Sequence, residues 1–358
     1  MMNHQEILGW LKEKDHDRLK VLWRQADRIR QHYVGRQVHL RGLVEISNHC
    51  VRQCGYCGLR AGNTRLERYR MTEAEILACA DEARRRGYGT VVIQSGEDYG
   101  ITADWLHGII GKIKRNAALA VTLSMGERPD EELRMWRRAG ADRYLLRFET
   151  SDAELYHLIH PSLPDRISDR IDILRRLRSM GYEIGGGVMI GIPGQTYTSL
   201  ARDIELFKEL DLDMIGIGPY IPHPNTPLGR GQWTREIPKD EQVPATEDMT
   251  CRVVALARIV CPEANIPATT ALATVNARNG SESALMRGAN VLMPELTPHR
   301  YRQKYELYPD RVSIQEEPTT QQLGLRRRLE TIGRLPGSGP GNRLHFIPQH
   351  YGYEITGC

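Results

Sequence analysis

Eight short apolar, β-branched runs alternate with longer helical patterns along this chain, and no other property limits its fold so tightly. The runs occupy 38–47, 90–97, 120–127, 143–150, 183–192, 213–220, 265–272 and 290–297. Between them apolar residues recur at helical spacing over about 72–87, 102–116, 130–139, 165–180, 197–210, 246–260 and 281–287. Strands that alternate with helices are joined by crossovers and lie parallel, and eight such units close into a barrel. The expected fold is therefore α/β, a (β/α)8 TIM barrel over 38–310, which takes up most of the 358 residues. Ahead of it, 1–37 read as a helical cap, with Ile7, Leu8, Leu11, Leu19, Leu22, Trp23 and Ile29 near helical spacing. Behind it, 311–358 read as an extension packing on the barrel.

Charge excludes little. Forty-nine Lys and Arg against 45 Asp and Glu leave +4, too small an excess to indicate a nucleic-acid binder unless the cations cluster. The densest basic runs, Arg84–Arg86 and Arg326–Arg328, fall on expected helices among acidic neighbours and read as solvated faces. Charges interrupt the first turns, so no signal peptide is expected, and no run reaches the roughly 18 apolar residues of a membrane span. A cytoplasmic protein with no membrane partner follows as the expectation.

Three of the seven cysteines, Cys50, Cys54 and Cys57, crowd the loop that leaves the first strand, spaced Cys-x3-Cys-x2-Cys. An odd count so distributed is not a disulfide framework. Cys79, Cys251 and Cys261 read as buried apolar side chains and Cys358 ends the chain. Three thiolates on one loop select soft metals. Structural zinc would need a fourth ligand; His49 adjoins, yet no second short knuckle of Cys or His follows. A cubane cluster normally takes four cysteines, so three leave one iron open. The strand ends add Gln94, Ser95, Glu97, Thr122, Ser124, Glu127, Arg147, Glu149, Thr269 and Thr270, a polar rim where barrels carry their active sites. A Ser or Thr there also serves as a helix cap, as Ser124 and Thr150 could.

The cysteine loop after the first strand resembles that of the radical S-adenosylmethionine enzymes. The resemblance implies one 4Fe–4S cluster on Cys50, Cys54 and Cys57, with the open iron chelating S-adenosylmethionine. Electron transfer into the sulfonium would then release methionine and a 5′-deoxyadenosyl radical. Tyr56, before the last cysteine, is either near the adenine or a packing aromatic. GED at 96–98 stands where the superfamily's glycine-rich motif meets the methionyl amino group, and GIPGQT at 191–196 resembles its adenine-side turn. A non-catalytic iron–sulfur or zinc carrier would need none of these polar strand ends.

Over about 38–345 the chain resembles the HydE family of FeFe-hydrogenase maturases, through CGLRAGN (57–63), RYRMT (68–72), QSGED (94–98), VTLSMGE (121–127), AGADRYLLRFET (139–150), GIGPYIPHPNTPL (216–228), NIPATTA (265–271) and TPHRYRQKYELYP (297–309). Methylornithine synthase and biotin synthase share the outline and supply the alternative, a radical enzyme acting on an amino acid or a biotin-synthase-like substrate. The resemblance implies cofactor contacts at Gln94, Gly96, Glu97, Glu149 and Arg170, with Arg170 pairing the carboxylate. From the residues alone Arg170 reads rather as a salt bridge on the helix at 165–180. Substrate-chamber positions are Thr122, Arg147, Thr269, Thr270, Met214, Met293, Tyr301 and Tyr305, the two methionines reading also as core. Implied too are a small sulfur- and iron-containing substrate, the partner maturases HydG and HydF, and an electron donor. A volatile or reactive intermediate would favour a channel through the barrel. Some relatives carry a second cluster near the C-terminus; 311–328 has no cysteine, with Ser313, Gln321 and Gly324 in the corresponding places, so one cluster is expected.

Overall fold

The computed structural model describes residues 2–311 and 318–344, with the side chains of 318–323 outside the description. Ser313 and Cys358 therefore lie outside the described residues, as does the side chain of Gln321.

The strands are β1 (Gln37–Ser47), β2 (Thr90–Ser95), β3 (Ala120–Ser124), β4 (Arg143–Leu145), β5 (Glu183–Ile190), β6 (Met214–Pro219), β7 (Val291–Leu292) and β8 (Leu335–Pro336). All pairings are parallel, in the order β6-β5-β4-β3-β2-β1-β7, with β8 against the start of β1. The seventh expected run forms no continuous strand, because Pro267 has no N–H to give to a ladder and a helix begins at Thr270. It nevertheless closes the ring: Asn265 and Ala268 bridge to Met214 and Ile217 of β6, and Pro267 bridges to Val291 of β7. Ile215 N–H donates to the Asn265 carbonyl at 2.9 Å and Ala268 N–H to the Val291 carbonyl at 2.9 Å. The fold is a TIM-type parallel barrel ringed by helices.

Helices Glu73–Arg85, Ala103–Asn116, Tyr197–Glu209 and Glu247–Val260 start where Thr72, Thr102, Thr196 and Thr246 accept a backbone N–H from the first turn. Their apolar faces bury Ile76, Leu106, Ile110, Leu200, Ile204, Val254 and Leu256 against the outward side chains of the strands. Helices His4–Lys12 and His16–Val34 pack on Tyr197–Glu209 and Glu247–Val260. Of the basic runs, Arg84, Arg85 and Arg326 are exposed and paired with Asp81, Glu82 and Glu330, whereas the side chain of Arg86 is buried against Glu82. No described helix is long and apolar enough to cross a membrane.

The lower half of the barrel is filled. Arg41 places Nη1 2.9 Å from Met214 Sδ and donates from Nη2 to the Gly341 carbonyl at 3.0 Å. Arg143 pairs with Glu183 at 2.5 Å, and Thr90 and Asn265 donate to the carbonyls of Pro340 and Gly341. Segment 337–342 thus packs across the bottom mouth. The residues of this segment carry no periodic signal.

One buried acid makes stability depend on pH. Asp203, on the inner face of Tyr197–Glu209, accepts from Ser151 N–H and Oγ at 2.5 and 2.6 Å, yet burial pushes its carboxyl up from 3.8 to about 7. A raised folded pKa means the unfolded chain loses the proton first, so this acid's stabilisation is complete below about pH 4 and lost as pH rises to about 7. Asp203→Asn is expected to match the parent at pH 4 and to exceed its stability at pH 8 in denaturant titrations. Equal differences at both pH values would contradict the account.

Candidate active site

The upper mouth of the barrel holds a cavity of 260 Å³ that gathers Cys50, Cys54, Tyr56, Cys57, Gln94, Gly96, Glu97, Arg147, Glu149, Arg170 and Tyr305 from segments far apart in the chain. The cysteine loop is bound to its surroundings through its backbone. Val51 N–H donates to the Glu97 carbonyl at 3.0 Å, Gly55 N–H to the Ile159 carbonyl at 2.7 Å, and the Gly55 carbonyl accepts from Leu228 N–H at 2.9 Å. Gly96 is required here because a Cβ would stand 2.2 Å from the His49 carbonyl oxygen and 2.9 Å from Cys50 Cβ. The GED turn thus lets the ligand loop lie directly on the end of β2.

All three thiols are free, and no three described His, Cys, Asp or Glu side chains converge on a single ion. All three border the same cavity. Burial pushes each thiol up, Cys57 to about 12 with Cys50 as the next cause. Cys54, also raised by burial, feels both neighbouring sulfurs. Three buried sulfurs that resist ionisation together are suited to a cationic metal centre, which holds thiolates by coordination.

Beside the cysteines lies a buried ionic hub. Glu127 Oε1 accepts from His160 Nε2 at 3.1 Å, Ser168 Oγ at 2.6 Å and Arg170 Nε at 3.0 Å, while Oε2 accepts from Arg52 Nη2 at 2.6 Å. Burial opposes ionisation, but His160, Arg170 and Arg52 outweigh it and hold the carboxyl well below the usual range. His160 Nδ1 stands 3.0 Å from Cys54 Sγ, and burial followed by repulsion from Arg170 lowers this imidazole to about 3. Arg170 opens helix Arg170–Ser179 and not its middle, because Asp169 caps the helix there. At that position it both makes the salt bridge and lines the cavity; Nη1 donates to the Arg147 carbonyl at 2.8 Å. Glu97 is fully engaged, accepting from Arg52 Nε at 2.7 Å, Tyr99 Oη at 2.9 Å and Glu127 N–H at 2.9 Å. Glu149 sits at φ +62°, a strained conformation for this residue type that functional sites often hold. Its Oε2 lies 3.0 Å from Arg147 Nη2 and its Oε1 3.5 Å from Tyr56 Oη.

Six expected substrate positions do not line the cavity. Thr122 is buried lower in the barrel, its hydroxyl without a partner. Thr269 donates to the Ile217 carbonyl at 3.0 Å and Thr270 starts the next helix, so Ala271 is the residue of this stretch that reaches the cavity. Met214 is held by Arg41 below, and Met293 is half-buried past the end of β7. Tyr301 stacks on Tyr69 at 4.5 Å and donates to Glu75 at 3.0 Å, facing away. Tyr305 accepts from Gln94 Nε2 at 3.2 Å within the cavity. GIPGQT folds upon itself through Gln195, whose side chain accepts from Gly191 N–H and donates to the Met189 carbonyl. Met189, Tyr220 and Tyr308 supply cavity wall that the motifs did not indicate, as Arg52, His160 and Ser168 supply the hub. Of the hub, Glu127 carried a signal as a carboxylate at a strand end, and Arg170 through the family resemblance.

A parallel barrel with a three-cysteine loop after its first strand, facing charged strand ends, defines a radical S-adenosylmethionine enzyme, and residues 44–207 match the Radical SAM superfamily. That superfamily implies a 4Fe–4S cluster and S-adenosylmethionine. Over 327 residues the chain is 44% identical to the [FeFe] hydrogenase maturase subunit HydE of Thermotoga maritima, covering 90% of this chain and 89% of that protein. The chain belongs to the HydE family of radical S-adenosylmethionine enzymes. A 3-methylornithine synthase of Methanosarcina acetivorans is 25% identical, covering 81% of this chain and 79% of its own. The crystal structure of methylornithine synthase (PylB) shares the fold, with a TM-score of 0.75 at 23% identity over 94% of each chain. The maturase HydG does so with a TM-score of 0.76 at 20% identity, over 94% of this chain and 73% of that one.

Proposed function

We propose that this enzyme acts in assembly of the diiron subcluster of the FeFe-hydrogenase H-cluster, on a small cysteine-ligated iron carbonyl cyanide species received from HydG, with product passed towards HydF. The observation that carries this reading is 44% identity to HydE over nine-tenths of the chain, with the cysteines and Arg147 on one cavity. Cys50, Cys54 and Cys57 are the ligand set of a single 4Fe–4S cluster with one iron left for S-adenosylmethionine. Bound together and reduced, these groups supply a 5′-deoxyadenosyl radical. Arg170, locked by Glu127 and the Arg147 carbonyl, offers a rigid guanidinium suited to the methionyl carboxylate. Glu149, Gln94 and the Gly96–Glu97 backbone border the same space, and Tyr56 covers it beside Glu149. Arg147 at the strand end anchors an anionic or cyanide-bearing substrate, with Tyr305 opposite. Thr122, Thr269, Thr270, Met214, Met293 and Tyr301 support the chamber from behind. Closure from below by 337–342 keeps water and stray hydrogen donors from the radical.

The test is in vitro maturation. Anaerobically reconstituted protein, added to apo-hydrogenase with HydG and HydF but without HydE, is expected to restore hydrogen evolution. A preparation that cleaves S-adenosylmethionine yet restores nothing would overturn the assignment in favour of an amino-acid substrate.

A further inference from the structure

The net charge of the chain is small, but its cations are not evenly spread. The two segments that enclose the cysteines, 50–66 and 221–235, contain Arg52, Arg60, Arg65, Arg230 and Arg235 and no Asp or Glu. Arg52 is spent inside on Glu97 and Glu127, and Arg235 on Asp152. Arg60, Arg65 and Arg230 make no ion pair among the described residues: Arg60 donates from Nε to the Cys54 carbonyl at 3.1 Å, and Arg230 from Nε to the Pro224 carbonyl at 2.9 Å. Arg230 is exposed and stands close enough to repel Arg60. Two carboxylates border these segments: Glu67 is engaged by Lys304, and Glu236, next to Arg235, is exposed.

Between the two segments lies Trp233. Its ring faces the Arg60 guanidinium at 5.7 Å and covers Gly55, where a Cβ would come within 2.8 Å of the indole. The residue is held at φ +54°, a left-handed conformation that is strained for a bulky side chain. An aromatic ring and unpaired guanidinium groups therefore sit directly on the peptide that joins Cys54 to Tyr56. Surface built for solubility alone needs no such strained contact with a ligand loop.

We propose that this rim, Arg60, Trp233 and Arg230 with Arg65 on the same loop, is the docking surface for a small acidic one-electron carrier protein that reduces the cluster. The inference rests on cluster ligation by Cys50, Cys54 and Cys57. One electron leaves the reduced carrier, which is oxidised by one, and the cluster is reduced by one; no bond breaks and no proton moves. Opposite charge steers the encounter and fixes orientation, and the electron reaches a ligand through the Gly55–Cys54 peptide.

The test is stopped-flow bleaching of the reconstituted cluster, with no maturation substrate present, so that its outcome is independent of the substrate assignment. A reduced acidic ferredoxin serves as carrier and reduced methyl viologen, a small cation, as control. Arg230→Glu combined with Arg65→Glu is expected to lower the second-order rate with ferredoxin about tenfold at low salt and to flatten its ionic-strength dependence. Arg230→Gln should fall between, and viologen should reduce all variants at least as fast as the parent. An unchanged ferredoxin rate and salt slope in the double variant, or a parallel loss with viologen, would overturn the proposal.

Discussion

Cys54→Ala is expected to bring reductive cleavage of S-adenosylmethionine to background, the largest functional loss any single substitution should produce here. Cys54 is the most buried of the three cysteines, at 6% exposure, and lies at the centre of the loop with His160 Nδ1 3.0 Å from its sulfur. Truncation leaves two thiols, too few to hold a cubane whose fourth iron must stay open. Iron content and the brown absorbance should fall with activity, which distinguishes loss of the cluster from loss of a later step. Cys79→Ala is the control: this thiol is equally buried, but its contact is the Leu296 carbonyl at 3.4 Å on the outer face of the barrel. That variant should keep full iron content and cleavage. A Cys54→Ala protein that still cleaves S-adenosylmethionine would refute the ligand assignment.

Glu127→Gln is expected to cost about 3–5 kcal/mol of stability and most of the affinity for S-adenosylmethionine. The two side chains have nearly the same shape, so no cavity opens. What changes is charge: one carboxylate now neutralises Arg52 and Arg170 while accepting from His160 and Ser168, all in the barrel mouth and nearly dry. A glutamine amide would keep one acceptor and turn its NH2 toward a donor. Buried Arg170 then loses its counter-charge and one of its two anchors, while Arg52 is left with Glu97 alone. Urea titration gives the stability, and equilibrium binding of S-adenosylmethionine to the reconstituted protein gives the affinity. Arg170→Ala separates the two effects, since Glu127 keeps three partners: binding should fall while stability falls by less. If Glu127→Gln is as stable as the parent, the hub is not what holds this mouth together.

Legibility followed the distance over which each signal acts. Strand β1 and the cysteine loop were readable because a short apolar run and Cys-x3-Cys-x2-Cys are local patterns, and the loop's chemistry follows from its own donor atoms. Gly96 was readable as a motif, but its reason is tertiary: the His49 backbone crosses where its side chain would be. The barrel count held even where the seventh run failed as a strand, since Pro267 removes ladder bonds without removing the segment's place between β6 and β7. Arg170 offered two readings, salt bridge or cofactor contact; the fold pairs it with Glu127 and also sets it on the cavity wall.

By itself, then, the sequence determined a parallel barrel and a three-thiol centre at its mouth, because alternation and ligand spacing are properties of neighbouring residues. Tertiary structure alone decided that His160 touches Cys54, that Glu127 ties four partners together, that 337–342 closes the bottom, and that Trp233 lies on Gly55. Each is a contact between segments separated by tens to hundreds of residues, formed only when the ring closes and the loops are pinned over it. No local pattern encodes such a meeting; packing and the need to satisfy buried charge do.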